Sequence, residues 1–268
     1  MPTITKITQQ KKNKERYNIF LDEEYALSVD ESLIIKYQLT KGLVIENGAL
    51  NDLVHDDEVK KAFNRGLNFI SFRMRSESEL KKKLVEKEFS DNVIDEAIQK
   101  LKYYGFINDE TFTASLIENQ KTSSKKGPMA IRQELTKKGI DKNLQDEFLE
   151  IYNEEEQIEI ASIVAEKLKN QHSTKTPLQV KQKIQDTLTR KGFSFSITKQ
   201  VIELMSFERD EDTWKEMISE QGDKIWKKYS SKLSGYELKN KVKQSLYQKG
   251  FSSDHINFFV EQKINRNE

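Results

Sequence analysis

The chain has 268 residues, of which 35% are hydrophobic and 33% charged, with 45 Lys and Arg against 44 Asp and Glu. One large core asks for more apolar residues than this, and a net charge of +1 excludes a polycation that holds nucleic acid by its overall charge. The absence of cysteine excludes a disulfide framework and a thiolate metal site.

Small modules strung in a row carry more surface per residue, so the composition fits an array better than a globe. No apolar run is long enough to span a bilayer, and no apolar segment follows Met1-Pro2-Thr3. The expected location is the cytoplasm, with no membrane partner.

In chain order, Arg16–Leu21 and Tyr25–Val29 flank the acidic turn Asp22-Glu23-Glu24, which predicts a β-hairpin. Ile4 to Thr8 alternates and offers a third strand. Asp30-Glu31-Ser32-Leu33 opens a short helix with an acidic first turn, and Gly42 closes the region. From Asp56 onward the period is helical, with Ala62, Phe63, Leu67, Ile70 and Met74 on one face.

A motif then recurs four times. Leu84-Val85-Glu86-Lys87-Glu88-Phe89 aligns with Leu135-Thr136-Lys137-Lys138-Gly139-Ile140, with Leu188-Thr189-Arg190-Lys191-Gly192-Phe193 and with Leu246-Tyr247-Gln248-Lys249-Gly250-Phe251. Each copy predicts the same helix ending. Gly takes the left-handed position past the end, and the next residue packs back on the Leu at the third-from-last helical position. Lys before the Gly suits a negative helix terminus. Glu88 replaces Gly in the first copy, at an expected cost of about 1 kcal/mol.

Leu80, Ile131, Ile184 and Val242 stand four residues before each Leu, on the same helical face. A second helix is predicted after N-caps at Ser90, Asp141, Ser194 and Ser252. A third is expected at Phe112–Ile117, Ile158–Leu168 and Trp214–Trp226. The expected fold is mainly α: tandem three-helix repeats in an elongated, curved array behind a small N-terminal hairpin and helix. The expected division is 1–55, then repeats at 56–120, 121–172 and 173–232, then a truncated fourth repeat at 233–268.

Three segments resemble the RecX family. Phe69-Ile70-Ser71-Phe72-Arg73-Met74-Arg75-Ser76-Glu77-Ser78-Glu79-Leu80 is similar to its signature around the first repeat. Leu101-Lys102-Tyr103-Tyr104-Gly105-Phe106-Ile107-Asn108-Asp109 looks like its link into the next helix, and Lys126-Gly127-Pro128-Met129-Ala130-Ile131 like its second-repeat start. Met74 stands where a proline is common, and Ala130 where a basic residue is frequent. The resemblance implies a regulator that binds RecA nucleoprotein filaments and restrains their growth, strand exchange and coprotease activity. It also implies binding of single- and double-stranded DNA without sequence specificity.

Charge is segregated along the chain. Lys and Arg dominate from Lys60 to Lys87 and again from Lys224 to Lys249, while no Lys or Arg occurs between Asn143 and Glu166. A basic helix recurring on stacked modules would give a stripe able to follow a phosphate backbone or an acidic groove. The residues expected to contribute are Arg73, Arg75, Lys81, Lys82, Lys126, Arg132, Lys137 and Lys138. Arg73 and Arg75 have an equal structural reading, as caps on the preceding helix.

Nothing points to catalysis. His55, His172 and His255 lack metal-ligand spacing, and neither a Walker loop nor a nucleophile elbow occurs. No cofactor, metal or catalytic residue is expected. Tyr103, Tyr104 and Phe106 are expected to pack between helices rather than to stack bases. A general DNA-binding helical array and a protein adaptor are the rival readings, and a monomer is the default.

Overall fold

The computed structural model describes residues 1–265. Three strands, β1 (Ile4–Gln9), β2 (Arg16–Leu21) and β3 (Glu24–Asp30), form an antiparallel sheet in the order β1-β2-β3. The β2–β3 connection is the two residues Asp22 and Glu23, both with positive φ (47° and 72°). A two-residue hairpin turn needs that conformation to match strand twist, and Gly or Asn usually supplies it. Here hydrogen bonds do: the Asp22 carboxylate accepts from the Thr3 N–H at 3.1 Å, and the Glu23 N–H donates to Thr5 Oγ1 at 3.0 Å.

Asp30 caps α1 (Glu31–Lys36) through the Ser32 N–H. The inner face of the sheet buries Ile4, Ile19 and Val29 with Leu33, Leu39, Ile45 and Leu53. Helix α2 (Asn47–Ile70) starts before the expected 55/56 boundary, which falls inside it. The reason is that α2 serves two cores, with Leu53 under the sheet and Val59 and Ala62 in the first helical module. Asp57, buried on α2, pairs with Arg16 at 2.8 Å and accepts from the Asp30 N–H at 3.0 Å, which ties the helix to β2 and β3.

Backbone contacts divide the chain into two units, residues 1–115 with 135–145, and residues 116–134 with the chain from Asp146 onward. In the first, α3 (Glu77–Val85) and α4 (Asp91–Tyr103) pack with α2 around Leu80, Leu84, Ile94 and Leu101. Helices α5 (Asp109–Thr122), α6 (Pro128–Lys137) and α7 (Lys142–Glu150) have residues in both units.

In the second unit, α8 (Glu154–Gln171), α9 (Pro177–Arg190) and α10 (Phe195–Leu204) pack on one another. So do α11 (Glu211–Ser230), α12 (Gly235–Gln248) and α13 (Ser253–Asn265), around Met217, Ile218, Val242, Leu246, Phe251 and Phe259. The fourth module is therefore not truncated. The division at 173–232 and 233–268 separates α11 from the helices it packs on. The repeated motif marks the middle helix of each module, so the leading helix belongs with the motif after it rather than with the preceding one.

The repeated helix endings form as their spacing predicts. Gly139, Gly192 and Gly250 have φ of 73°, 88° and 89°, and Glu88 has 63°. The amides of Ile140, Phe193 and Phe251 reach back to the carbonyls of Leu135, Leu188 and Leu246 at 3.1, 3.0 and 3.3 Å. All four motif leucines are fully buried, and Ile140, Phe193 and Phe251 are buried beside them, while Phe89 is half-buried. This is the Schellman ending, with its apolar contact in place.

Candidate binding surface

The middle helix of one module begins against the end of the middle helix of the next. Ser76, the N-cap of α3, accepts from the Glu79 N–H and donates its hydroxyl to the Lys138 carbonyl at 2.6 Å. Thr176, the N-cap of α9, donates in the same way to the Lys249 carbonyl. Before α6 the backbone does this work, with the Gly127 N–H donating to the Lys191 carbonyl at 2.8 Å and the Met129 N–H to the Gly192 carbonyl at 3.1 Å.

A helix C-terminus leaves carbonyls without partners, and these donors satisfy them. The approach is close enough that a Cβ on Gly139, Gly192 or Gly250 would lie 2.3 Å from Ser78, 2.3 Å from Ala130 and 2.7 Å from Leu178. The Gly is thus needed for its φ and for the contact. Glu88 follows the first of these helices, which no earlier three-helix module precedes, and it is exposed.

The clamp also accounts for several cations expected to face a partner. Glu79 Oε1, beside the α3 cap, contacts Arg73 at 3.1 Å, Arg75 at 3.7 Å and Lys138 at 2.7 Å. The Arg75 guanidinium lies 4.3 Å from the centre of the Phe69 ring. The structure thus gathers Arg73, Arg75 and Lys138 around one carboxylate, and neither arginine caps α2. The Ser-x-x-Glu capping box at Ser76–Glu79 was a readable signal for this site, as was Thr-x-x-Gln at Thr176–Gln179.

The other candidates stand apart. Lys81 pairs with Asp95 at 2.7 Å, and that carboxylate raises the pKa of its ammonium. Lys126 pairs with Glu134 at 2.8 Å, and Arg132 with Asp146. Lys82 and Lys137 are exposed and form no ion pair among the described residues. In the second unit, Lys191 donates to the Ser124 carbonyl at 2.7 Å. Burial, followed by the charges of Lys126, Arg190 and Lys167, lowers its pKa. This concentration of positive charge was missed because its members lie far apart in sequence.

Gly105, with φ 73°, ends α4 in the left-handed conformation, and the rings beside it pack only in part between helices: Tyr104 and Phe106 lie edge-on to Phe63 of α2, whereas Tyr103 is exposed. His255 stacks on Trp214 at 5.1 Å, in keeping with a structural role. No group of three or more His, Cys, Asp or Glu among the described residues could hold a metal ion, and no described helix is long and apolar enough to cross a membrane.

A small sheet followed by three-helix modules, with middle helices that are basic and clamped end to start, defines a class of helical repeat protein. Comparison with known proteins gives its family. The family model described as the regulatory protein RecX N-terminal domain matches residues 2–46. Those for the first and second RecX three-helix domains match 62–101 and 108–149, and that for the third matches twice, at 154–202 and 215–260.

Regulatory protein RecX of Bacillus subtilis (strain 168) is 41% identical over 98% of this chain and 99% of its own. That of Bacillus licheniformis is 39% identical over 98% and 100%. A crystal structure of regulatory protein RecX shares 34% identity at a TM-score of 0.65, covering 76% of this chain and all of that one. RecX from Lactobacillus salivarius, also 34% identical, aligns at 0.53 over 55% of this chain and 96% of its own. The chain belongs to the RecX family, a family of regulatory proteins.

Proposed function

We propose that this protein is a non-catalytic regulator that binds RecA nucleoprotein filaments. It mostly inhibits filament growth, ATP hydrolysis, strand exchange and coprotease activity, and so acts in DNA repair and the SOS response. It also holds single- and double-stranded DNA without sequence specificity, and it works in the cytoplasm as a monomer. RecA enters through the sequence resemblance to the RecX family.

The observation that carries this reading is the clamp. It repeats three times, and each time it fixes a basic middle helix relative to the one before. Several weak contacts from such helices gain affinity because they are linked. In this reading the contacting residues are cations that the clamp does not consume. Lys82 and Lys137 come first, followed by the Lys191 cluster, while Lys81, Lys126 and Arg132 are already paired on the surface. Arg73, Arg75 and Lys138 act by holding modules together.

The test is RecA-dependent ATP hydrolysis on single-stranded DNA, titrated with the protein while filament binding is followed. Inhibition well below one protein per RecA indicates action at filament ends, and inhibition near saturation indicates occupancy along the filament. The Lys82→Glu/Lys137→Glu variant weakens binding and flattens its salt dependence, because each lost phosphate contact removes about one unit of slope. No binding and no change in hydrolysis with a cognate RecA refutes the reading.

A further inference from the structure

The aromatic surface at the end of α4 has no part in the clamp. Tyr103, Tyr104 and Phe106 are 85%, 62% and 50% exposed, although they follow one another across a single turn. The turn is well made, with Gly105 in the left-handed conformation and the Phe106 N–H reaching back to the Leu101 carbonyl at 2.9 Å. The rings are therefore held in place. Tyr103 meets Tyr104 at 5.3 Å between centroids and 77° between planes, and Tyr104 meets Phe63 of α2 at 6.0 Å and 75°. Tyr104 also meets Phe106 at 6.3 Å, so it is the more enclosed tyrosine, while Tyr103 meets only the Tyr104 ring among the described residues and is the most exposed of the three. Clustered exposed aromatics on a soluble surface mark a contact site.

The surroundings indicate what the contact is. Tyr104 borders a cavity of about 290 Å³ whose wall includes Lys36, Asp56, Lys60, Phe63 and Lys100. Asp56 is occupied by Lys36 and by the Tyr37 hydroxyl at 2.8 Å. The neighbouring Glu96 is engaged by His55 at 2.8 Å. Lys100 forms no ion pair among the described residues, and Lys60 only a 4.0 Å contact to Asp30. Exposed rings beside ammonium groups that are only loosely paired, Lys60 at 4.0 Å from Asp30 and Lys100 near Asp56, suit an unpaired strand, since bases stack on the rings while phosphates meet the cations. The lysines beside the rings favour a strand over a protein-docking patch, whose core is depleted of lysine.

We propose that Tyr103 and Tyr104, with Lys60 and Lys100 beside them, form a base-stacking site for single-stranded nucleic acid. The site deepens the proposed function by naming where an unpaired strand is held, but it stands without RecA, and its test uses none.

The full chain is titrated with a fluorescent oligo-dT and, separately, with a hairpin duplex of equal length, across a salt series. Tyr103→Ala/Tyr104→Ala lowers affinity for oligo-dT by about tenfold or more per stacked base. It leaves duplex affinity within about twofold and the salt slope unchanged, because no cation is lost. Tyr103→Phe/Tyr104→Phe retains binding, and Lys60→Gln/Lys100→Gln reduces the salt slope. Both tyrosines are exposed, so the double alanine variant should melt with the parent, which separates lost binding from lost folding. Three results overturn the proposal: no binding of oligo-dT by the parent, equal loss on single strand and duplex, or unchanged oligo-dT affinity. Unchanged oligo-dT affinity with lost filament association would assign the patch to protein docking instead. Retained, tyrosine-dependent oligo-dT binding with no effect on RecA would leave this site standing and remove the RecA reading.

Discussion

Gly192→Ala probes the clamp most directly. The new Cβ would sit 2.3 Å from the Ala130 nitrogen and 2.9 Å from its Cα, backbone atoms that cannot rotate away. Relief requires the start of α6 to retreat, which sacrifices the bonds from Gly127 to the Lys191 carbonyl and from Met129 to the Gly192 carbonyl. Each is worth about 1 kcal/mol net, and the left-handed φ of 88° adds about 1 kcal/mol of strain for a residue with a Cβ. The expected loss is about 3 kcal/mol.

Gly42→Ala is the control, because Gly42 has a φ of 91° and nothing within 4 Å of a Cβ. It should cost only the strain, about 1 kcal/mol. Repeat arrays unfold in parts, so urea midpoints are best paired with amide exchange at Gly127 and Met129. Those two amides should lose protection in Gly192→Ala and keep it in Gly42→Ala. Equal costs for the two variants would refute close approach as the reason for glycine at Gly192.

Ser76→Ala removes both a capping bond and the clamp bond to Lys138, and should cost about 1–3 kcal/mol in urea unfolding. Ser90→Ala, at an N-cap whose side chain makes no capping bond, should be nearly silent in the same assay. Glu79→Gln leaves Arg73, Arg75 and Lys138 without their shared anion. Stability should fall while affinity for oligonucleotides rises with a steeper salt slope, read by filter binding across a salt series. Lys191 has a folded-state pKa below its unfolded value, so the unfolded chain holds the proton more tightly. Stability should therefore rise as pH increases through the window between the two values, and Lys191→Met should remove that contribution from a pH series of urea midpoints.

The helix endings were legible because one local rule dictates them. A left-handed Gly followed by an apolar residue, with a Leu at the third-from-last helical position, needs no tertiary knowledge. The hairpin was legible from its β-branched and aromatic runs, although its turn relies on Thr3 and Thr5, which are distant in sequence. Module boundaries were less legible. Periodicity shows that α11 is amphipathic, but only packing shows that Met217 and Ile218 face α12 and α13 rather than α10. The binding residues were legible as a basic population and not one by one. Glu79 reads as an ordinary capping residue, and only the fold brings Lys138 to it from the next module.

Glu88 joins these observations. A repeat whose glycines served only the left-handed turn would favour Gly in all four copies. The exception falls in the copy whose carbonyls receive no clamp bond and whose residue is exposed, where a Cβ costs strain. The three remaining glycines each meet a preceding helix start at a distance no Cβ permits. The contact between modules therefore adds to the helix ending in selecting glycine, and Glu88→Gly can be expected to stabilise the chain by at most about 1 kcal/mol. A gain of that size, set against a loss at Gly192 three times larger, would divide the two roles of the same position within one chain.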